Sequence, residues 1–382
     1  MNFQFGPIHQ DVLTLARDFV NQTVRPRIEI HEREATFPSE IMAIAAKLGL
    51  TGIIIPEEYG GAGLDTLALA LVVEEISKVS PALALIICAN NSLSGAPIIA
   101  YGNEEQKKKY LPLLARGEYY GCYAMTEPDA GSDVANLQAR ALLEGDTWML
   151  SGTKTLITNG SVADVIVGIF RTGPNSHKGL SAFIIETTTP GFKVQRVEKK
   201  MGLSCSPTAE LFFDTCHIPR ENLLGAEGDG FKIAMQTMNG GRVYIAAQAL
   251  GIAEGALNLA LQYAKSRNAF GKPLSEHQAL QHKLANMATN IEAARSLVYR
   301  TCTEKDSGAS YIKLASMSKL FATEMACSVV YDALQIFGGM GYIQGNRIER
   351  LYRDVRALPI YEGTSEIQLN IIADAIIHNK FE

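Results

Sequence analysis

The feature that most restricts this 382-residue chain is that its hydrophobic period changes twice. Across residues 12–24, 40–48, 64–79 and 104–115, apolar side chains recur at helical spacing. Between about 118 and 225 they alternate instead, in short runs at 119–125, 137–143, 148–151, 165–171, 180–186 and 211–213. Turn signals such as Glu144-Gly145-Asp146 and Pro190-Gly191 separate those runs, which predicts strands with hairpin-length connections. Helical spacing then returns in long Ala-rich stretches at 241–267, 276–306, 309–337 and 365–378. Stretches of that length suggest a bundle whose packing extends to neighbouring subunits. A strand side chain changes face every residue whereas a helical one recurs at three or four, so the two patterns cannot exchange roles. The chain therefore divides into a helical domain (1–117), a β domain (118–225) and a helical bundle (226–382).

Within the first domain, Ser39 is placed to cap the helix over 40–48. The apolar run over 82–100 is interrupted by Asn90, Asn91, Ser92, Ser94 and Pro97 and reads as a buried helix, not a membrane span. A net charge of −5 without a dense Lys/Arg run argues against nucleic acid as partner. With 47% hydrophobic and 20% charged residues the chain has the makings of a large core and is not disordered. Six scattered cysteines form no CxxC pair and the seven histidines no HExxH, so neither a disulfide framework nor a zinc site is expected. The first residues lead directly into an amphipathic helix. The expected location is cytoplasmic, or the mitochondrial matrix for a processed eukaryotic form.

No dinucleotide fingerprint survives inspection: Gly61-Ala62-Gly63 has Thr66 where a third small residue belongs, and Gly228-Asp229-Gly230 has Ile233. Two polar loops at strand ends, 126–133 and 155–160, combine hydroxyls with Gly-enabled backbone exposure, which suits a ring edge or a phosphate but equally a plain turn. Arg267…Gly271 reads as a basic last turn with a Gly cap. The three glycines of Gly338-Gly339-Met340-Gly341 exceed what one cap needs, so a ligand can approach the backbone there. Near the end stands Tyr361-Glu362-Gly363-Thr364-Ser365-Glu366-Ile367-Gln368. Ser365 and Gln368 fit a capping box, which puts Glu362 in a turn just before a helix N-terminus. The helix end favours its charged form and a closed apolar pocket its neutral one, the tuning that a base for a carbon-bound proton needs. An acid here also simply complements the macrodipole, and the local sequence leaves both readings open.

Taken together, these segments resemble the acyl-CoA dehydrogenase flavoproteins over essentially the whole chain. Six motifs carry the likeness in order: 126–133, 157–160, Pro219…Asn222…Leu224-Gly225…Gly228…Gly230-Phe231, Arg267…Phe270-Gly271, Gln335…Gly338-Gly339 and Tyr361-Glu362-Gly363-Thr364. Ala234-Met235-Gln236-Thr237 and the 361–368 stretch are most similar to the short-chain, butyryl-type branch. The resemblance implies an α+β fold, mainly α, with the central domain barrel-like and the last a four-helix bundle. It implies FAD, contacted by Met125, Thr126, Ser132 and Thr158, by Thr364 and Glu366, and across a subunit interface by Arg267, Phe270, Gln278, Gln335 and Gly339. It implies Glu362 as the base that removes the α-proton of an acyl-CoA while the β-hydride passes to flavin N5. Tyr123, Asn91, Ser132, Arg242, Tyr361 and Gly363 are then expected at the substrate, an electron-transfer flavoprotein as redox partner, and a homotetramer as the assembly.

Three positions depart from the family pattern. Leu156 replaces the aromatic residue that usually precedes Ile-Thr-Asn, Asn239 replaces a common Asp, and Gly241 occupies the place where other branches carry their base. The segment 80–99 holds no Lys or Arg to pair with a dicarboxylic substrate, so a short neutral acyl chain is expected. Branched or cyclic acyl groups, an oxidase using O2, and a non-catalytic acyl-CoA-binding oligomer are the competing readings.

Overall fold

The computed structural model describes residues 5–378. The N-terminal helical domain comprises α1 (Pro7–Phe19), α2 (Arg25–Glu34), α3 (Ser39–Lys47), α4 (Thr66–Ser77), α5 (Pro81–Cys88), α6 (Ala96–Tyr101) and α7 (Glu104–Ala115). The first helix does not stop at 24 as the periodicity predicts: a π-helical turn, Val20–Val24, carries it into α2. Pro26 has no N–H to give, and the Arg27 guanidinium instead donates to the carbonyls of Gln22 and Thr23, at 3.0 Å each. Ser39 is the first residue of α3 and caps nothing; the position before it is Pro38. The apolar run 82–100 is buried as expected, through α5, a second π-helical turn (Ala89–Gly95) and α6. Its polar side chains are all spent on backbone carbonyls, Asn91 on Ile87, Ser92 on Cys88 and Ser94 on Asn90, so they are buried at little cost. By length and apolarity the helical stretches Pro81–Tyr101, Gly230–Ser266 and Ile312–Tyr342 could each cross a membrane, but the first is packed almost wholly inside the protein.

The β domain holds β1 (Gly121–Ala124), β2 (Arg140–Glu144), β3 (Thr147–Thr158), β4 (Val165–Arg171), β5 (Leu180–Glu186), β6 (Phe192–Val197), β7 (Thr208–Pro219) and β8 (Leu223–Leu224). The strand order is β6-β7-β3-β2-β4-β5-β8, with β1 added parallel to β4. Among the described residues this sheet does not close, so the expected barrel is an open sheet with β6 and β8 at its edges. The predicted run 148–151 extends to Thr158, so most of the 155–160 segment is a strand end, not a loop. A bulge there accompanies a left-handed backbone at Leu156 (φ 59°). β6 escapes the sequence reading because only Phe192 is turned partly inward; the rest of the edge strand is exposed. One face of the sheet carries Trp148, Phe170, Phe183 and Phe213, packed edge-to-face, with Phe170 and Phe213 centroids 5.1 Å apart. The other face packs on the helical domains through Tyr123, Val165, Val167 and Ile184.

The C-terminal domain consists of α8 (Gly230–Ser266), a two-residue hairpin pair β9 (Asn268–Ala269) and β10 (Lys272–Pro273), α9 (Gln278–Asp306), α10 (Ile312–Phe337), α11 (Arg347–Val355) and α12 (Ser365–His378). α8 begins eleven residues before the predicted start at Gly241, which puts Gly241 and Arg242 inside the helix. α8, α9 and α10 share one apolar core with α1 and α4, so the two helical domains, separated in sequence by the whole sheet, are a single packed body. Their backbones approach closely: a Cβ on Gly251 would lie 2.1 Å from the Glu74 carbonyl oxygen, which only glycine allows. Across the same seam Arg295 donates to Glu74 at 3.1 Å and to Glu254, and the Tyr299 hydroxyl donates to Glu74 at 2.8 Å.

Candidate active site

The turn between α11 and α12 is closed by Ser365 N–H donating to the Pro359 carbonyl at 2.9 Å. The capping differs from the sequence reading. Thr364, not Ser365, accepts from the Ile367 N–H through its hydroxyl (3.3 Å), and Ser365 donates to Glu324 at 2.6 Å. Gln368 does not accept from a cap; its amide donates to the Gly363 carbonyl at 2.9 Å and to that of Glu362 at 3.4 Å. Two buried cations reach the same pair of carbonyls: Arg242 from α8 donates to Glu362 O at 3.4 Å and Lys319 from α10 to Gly363 O at 2.8 Å. Held this way, Glu362 sits in the left-handed region (φ 55°), a conformation unfavourable for a residue with a side chain and persistent only where the surroundings impose it.

Its carboxylate turns inward against Gly241. A Cβ built there would lie 2.4 Å from Glu362 Oε2, and that oxygen is buried with no hydrogen-bond partner. Burial pushes the Glu362 pKa up to about 7, against the pull of Arg242 and Lys319. Of the two influences set against each other by the sequence, burial wins. Tyr123, from β1, brings a second unpartnered buried oxygen toward the same space beside Thr237; burial and then the Glu362 charge raise its pKa. Tyr361 donates its hydroxyl to Gln248, and Arg242 is steadied by Asn239 Oδ1 at 2.5 Å. Asn239, a departure from the family pattern, thus keeps an acceptor in place though not a charge.

The structure brings Tyr123, Arg242, Tyr361 and Gly363 to Glu362. It does not bring Asn91: both amide protons go to the carbonyls of Leu50 and Ile87, at 3.0 Å each, leaving no donor for a substrate. Met125 and Thr126 follow β1 and lie beside the far end of β3, where the Thr155 N–H donates to the Thr126 carbonyl at 2.8 Å, and Thr158 is the last residue of that strand. Ser132 lies exposed on the loop that follows. That loop is fixed by an ion pair the sequence reading missed. Lys154, fully buried, donates to Glu127 at 2.8 Å and to the Met125 carbonyl at 3.0 Å, while Glu127 accepts the N–H groups of Gln138 and Ala139. A lysine at an inward position of an alternating strand was the available signal. Lys319 was likewise missed, although a lone Lys on the apolar stripe of α10 stands out by the same reasoning.

A third group lies elsewhere. Arg267, Phe270, Gln278, Gln335 and Gly339 are all exposed at one end of the bundle, where Tyr263 stacks on Phe337 (4.3 Å, 15°) and joins the ends of α8 and α10. Phe270 tops the β9–β10 hairpin, 97% exposed. Thr364 and Glu366 follow the Glu362 turn, Glu366 exposed.

A buried carboxylate without a partner, held in a fixed turn, has the features the sequence reading expects of a base, and comparison with known proteins identifies the family. The family models for the N-terminal, middle and C-terminal domains of acyl-CoA dehydrogenase match residues 7–118, 122–216 and 228–377. The chain is 46% identical over 364 residues to an acyl-CoA dehydrogenase of Bacillus subtilis, covering 95% of this chain and 96% of the relative. The fold matches butyryl-CoA dehydrogenase from Megasphaera elsdenii with a TM-score of 0.97 at 41% identity, covering 99% and 100% of the two chains. A chain in a structure described as an electron transferring flavoprotein of Acidaminococcus fermentans matches with a TM-score of 0.97 at 44% identity, again covering 99% and 100%. The protein belongs to the acyl-CoA dehydrogenase family, flavoprotein oxidoreductases, and is most similar to its short-chain branch.

Proposed function

We propose that the protein oxidises a short-chain acyl-CoA to its trans-2-enoyl-CoA with FAD as cofactor, Glu362 removing the α-proton. The observation that carries this reading is Glu362 Oε2, enclosed against Gly241, without a partner, and held near neutrality by burial. A carboxylate titrating there is a stronger base than an exposed one, yet is still ionised in a sizeable fraction at physiological pH. The Glu362 backbone N–H polarises the thioester carbonyl, lowering the cost of the carbanionic character that develops at the α-carbon. Leu93, packed beside Gly241, and the buried Tyr123 help to keep water from Glu362 Oε2 and so from competing for the proton.

The residues present fit a flavin nucleotide. Thr126 and Thr158 present half-open hydroxyls on a strand-end backbone that the Lys154–Glu127 pair keeps rigid, with Met125 beside them and Ser132 on the exposed loop. When bound, the flavin supplies the acceptor for the β-hydride. Arg267, Phe270, Gln278, Gln335 and Gly339 are open to a neighbouring copy, and the uncovered Phe270 ring is the kind of group that an interface buries. On this reading they hold the FAD of an adjacent subunit in a homotetramer, while Thr364 and Glu366 approach the cofactor from the Glu362 side. Likeness to the A. fermentans structure supports an electron-transfer flavoprotein as the acceptor of the electrons.

The acyl chain is short and neutral on this reading, since the 80–99 segment offers no cation and its Asn90, Asn91, Ser92 and Ser94 side chains are engaged with backbone. The test is anaerobic: acyl-CoAs are added to the yellow protein and flavin bleaching is recorded. Butyryl-CoA is expected to bleach it and glutaryl-CoA to leave it oxidised. Normal bleaching of a Glu362→Gln variant that retains FAD would reject the assignment of the base.

A further inference from the structure

One of the two lysines on α10 has no obvious reason to be where it is. Lys319 is completely buried, on a helix face otherwise made of Ala315, Ser316, Ala322 and Thr323. Burying an ammonium is costly unless something compensates it. Its hydrogen bond to the Gly363 carbonyl does not require a charge, because Gln368 donates to the same oxygen with a neutral amide. What does require a charge is the carboxylate one residue earlier in the turn.

The groups facing Glu362 can be taken element by element. Cys88 on α5 and Tyr123 on β1 are kept neutral by burial, the Cys88 thiol pushed up to about 12, and the adjacent Tyr361 is neutral for the same reason. Two cations are left, Arg242 on α8 and Lys319 on α10. Facing Lys319 itself are Glu362, Arg242, Glu324 and Glu366. Of these carboxylates Glu366 is exposed and Glu324 holds the Ser365 hydroxyl at the surface, so the buried counter-charge is Glu362. Arg242 already shares its charge with Asn239 and the Glu362 carbonyl.

We propose that Lys319 is a positioning residue for the base: from inside the bundle it clamps the Gly363 carbonyl and supplies the buried positive charge that lets Glu362 ionise while sealed from water. The proposal deepens the assignment of Glu362 as base and rests on it. The two cations divide the work. Arg242 is charged at every accessible pH, whereas burial brings the Lys319 pKa down to about 8, so Lys319 is the partner whose charge changes under mildly alkaline conditions.

The experiment compares wild type, Lys319→Met and Lys319→Arg as FAD-loaded protein, each labelled with 13C-carboxyl glutamate; Glu362→Gln identifies the resonance. In wild type the Glu362 carboxyl is expected to titrate near pH 7, with a second inflection when Lys319 loses its proton. Lys319→Met is expected to raise the midpoint by about one pH unit or more, and the acid limb of butyryl-CoA bleaching with it. Lys319→Arg, which keeps the charge, is expected to restore most of that shift. An unmoved midpoint in folded Lys319→Met, or an Arg variant displaced as far as the Met variant, overturns the proposal. Should Lys319→Met not fold, a wild-type resonance without the second inflection overturns it equally. Failure of the base assignment itself is seen separately, as normal bleaching in Glu362→Gln.

Discussion

Replacing Gly241 by alanine adds one methyl group, and the structure says where it goes. The new Cβ would stand 2.4 Å from Glu362 Oε2 and 3.1 Å from its Cδ, with Leu93 at an ordinary 3.6 Å. Carbon and oxygen settle at roughly 3.4–4 Å, so the carboxylate must retreat by about 1 Å. A reacting group misplaced by that distance costs about 10²-fold in rate, equivalent to about 2.7 kcal/mol of barrier. The fold should not suffer: the displaced atom ends a flexible side chain, and Gly to Ala inside a helix contributes up to about 1 kcal/mol of stability. Stopped-flow bleaching by butyryl-CoA under nitrogen measures the rate, and thermal melting of the same sample measures the fold. Gly240→Ala is the control, because its Cβ would have nothing nearer than Lys305 Cε at 4.0 Å. A Gly241→Ala enzyme as fast as wild type, or a Gly240→Ala enzyme equally slow, refutes the geometry argued for the base.

Stability should respond to pH through Glu362. Its pKa rises from 4.5 to about 7 on folding, so the native state binds the proton more tightly and loses stability as pH climbs through that window. Glu362→Gln removes this loss and is expected to be more stable than wild type at pH 8, by about 3 kcal/mol at most, and indistinguishable near pH 4; chemical denaturation at the two pH values decides. Arg295→Met strands the buried Glu74 carboxylate at the seam between α4 and α9 and is expected to cost about 3–5 kcal/mol, read as a lower denaturation midpoint. Lys154→Met strands Glu127 in the same way and loosens the loop that carries Thr126, so the purified variant is expected to be less stable and to hold less flavin, read as weaker yellow colour per mole of protein. If Leu156, 62% exposed at its left-handed bend, leaves the flavin open to oxygen, aerobic turnover will release peroxide; with an electron-transfer flavoprotein as acceptor it will not.

Much of the fold was legible because secondary structure is written in short-range periodicity. The strands over 165–171 and 180–186 match their predicted bounds, since both are apolar runs framed by turn residues. The first helix runs on past 24 for a local reason, since Arg27 donates to the Gln22 and Thr23 carbonyls next to Pro26. Other misreadings fall where a tertiary partner replaces a local rule. The charged α11 went unread because its Arg350 is neutralised by Glu29 and bonded to the Val79 carbonyl, hundreds of residues away in sequence. At the site, the motifs singled out Glu362, Arg242 and Thr126, whereas Lys319 and Lys154 are marked in the sequence only as cations at inward positions and their partners, Gly363 and Glu127, lie far along the chain. Asn91 shows the reverse: a polar residue in the right segment, but spent on the helical scaffold.

By itself the sequence determined the three textures, the order of the motifs and the turn on which Glu362 stands, because each depends on residues within one or two turns of one another. Tertiary structure alone decided what that carboxylate is. Arg242 comes from 120 residues upstream and Lys319 lies 44 residues from the Gly363 carbonyl it holds, and both reach the turn only because α8 and α10 pack against each other beside it. The pKa follows from desolvation, and desolvation is a property of everything packed around an atom, not of the residues beside it in the chain.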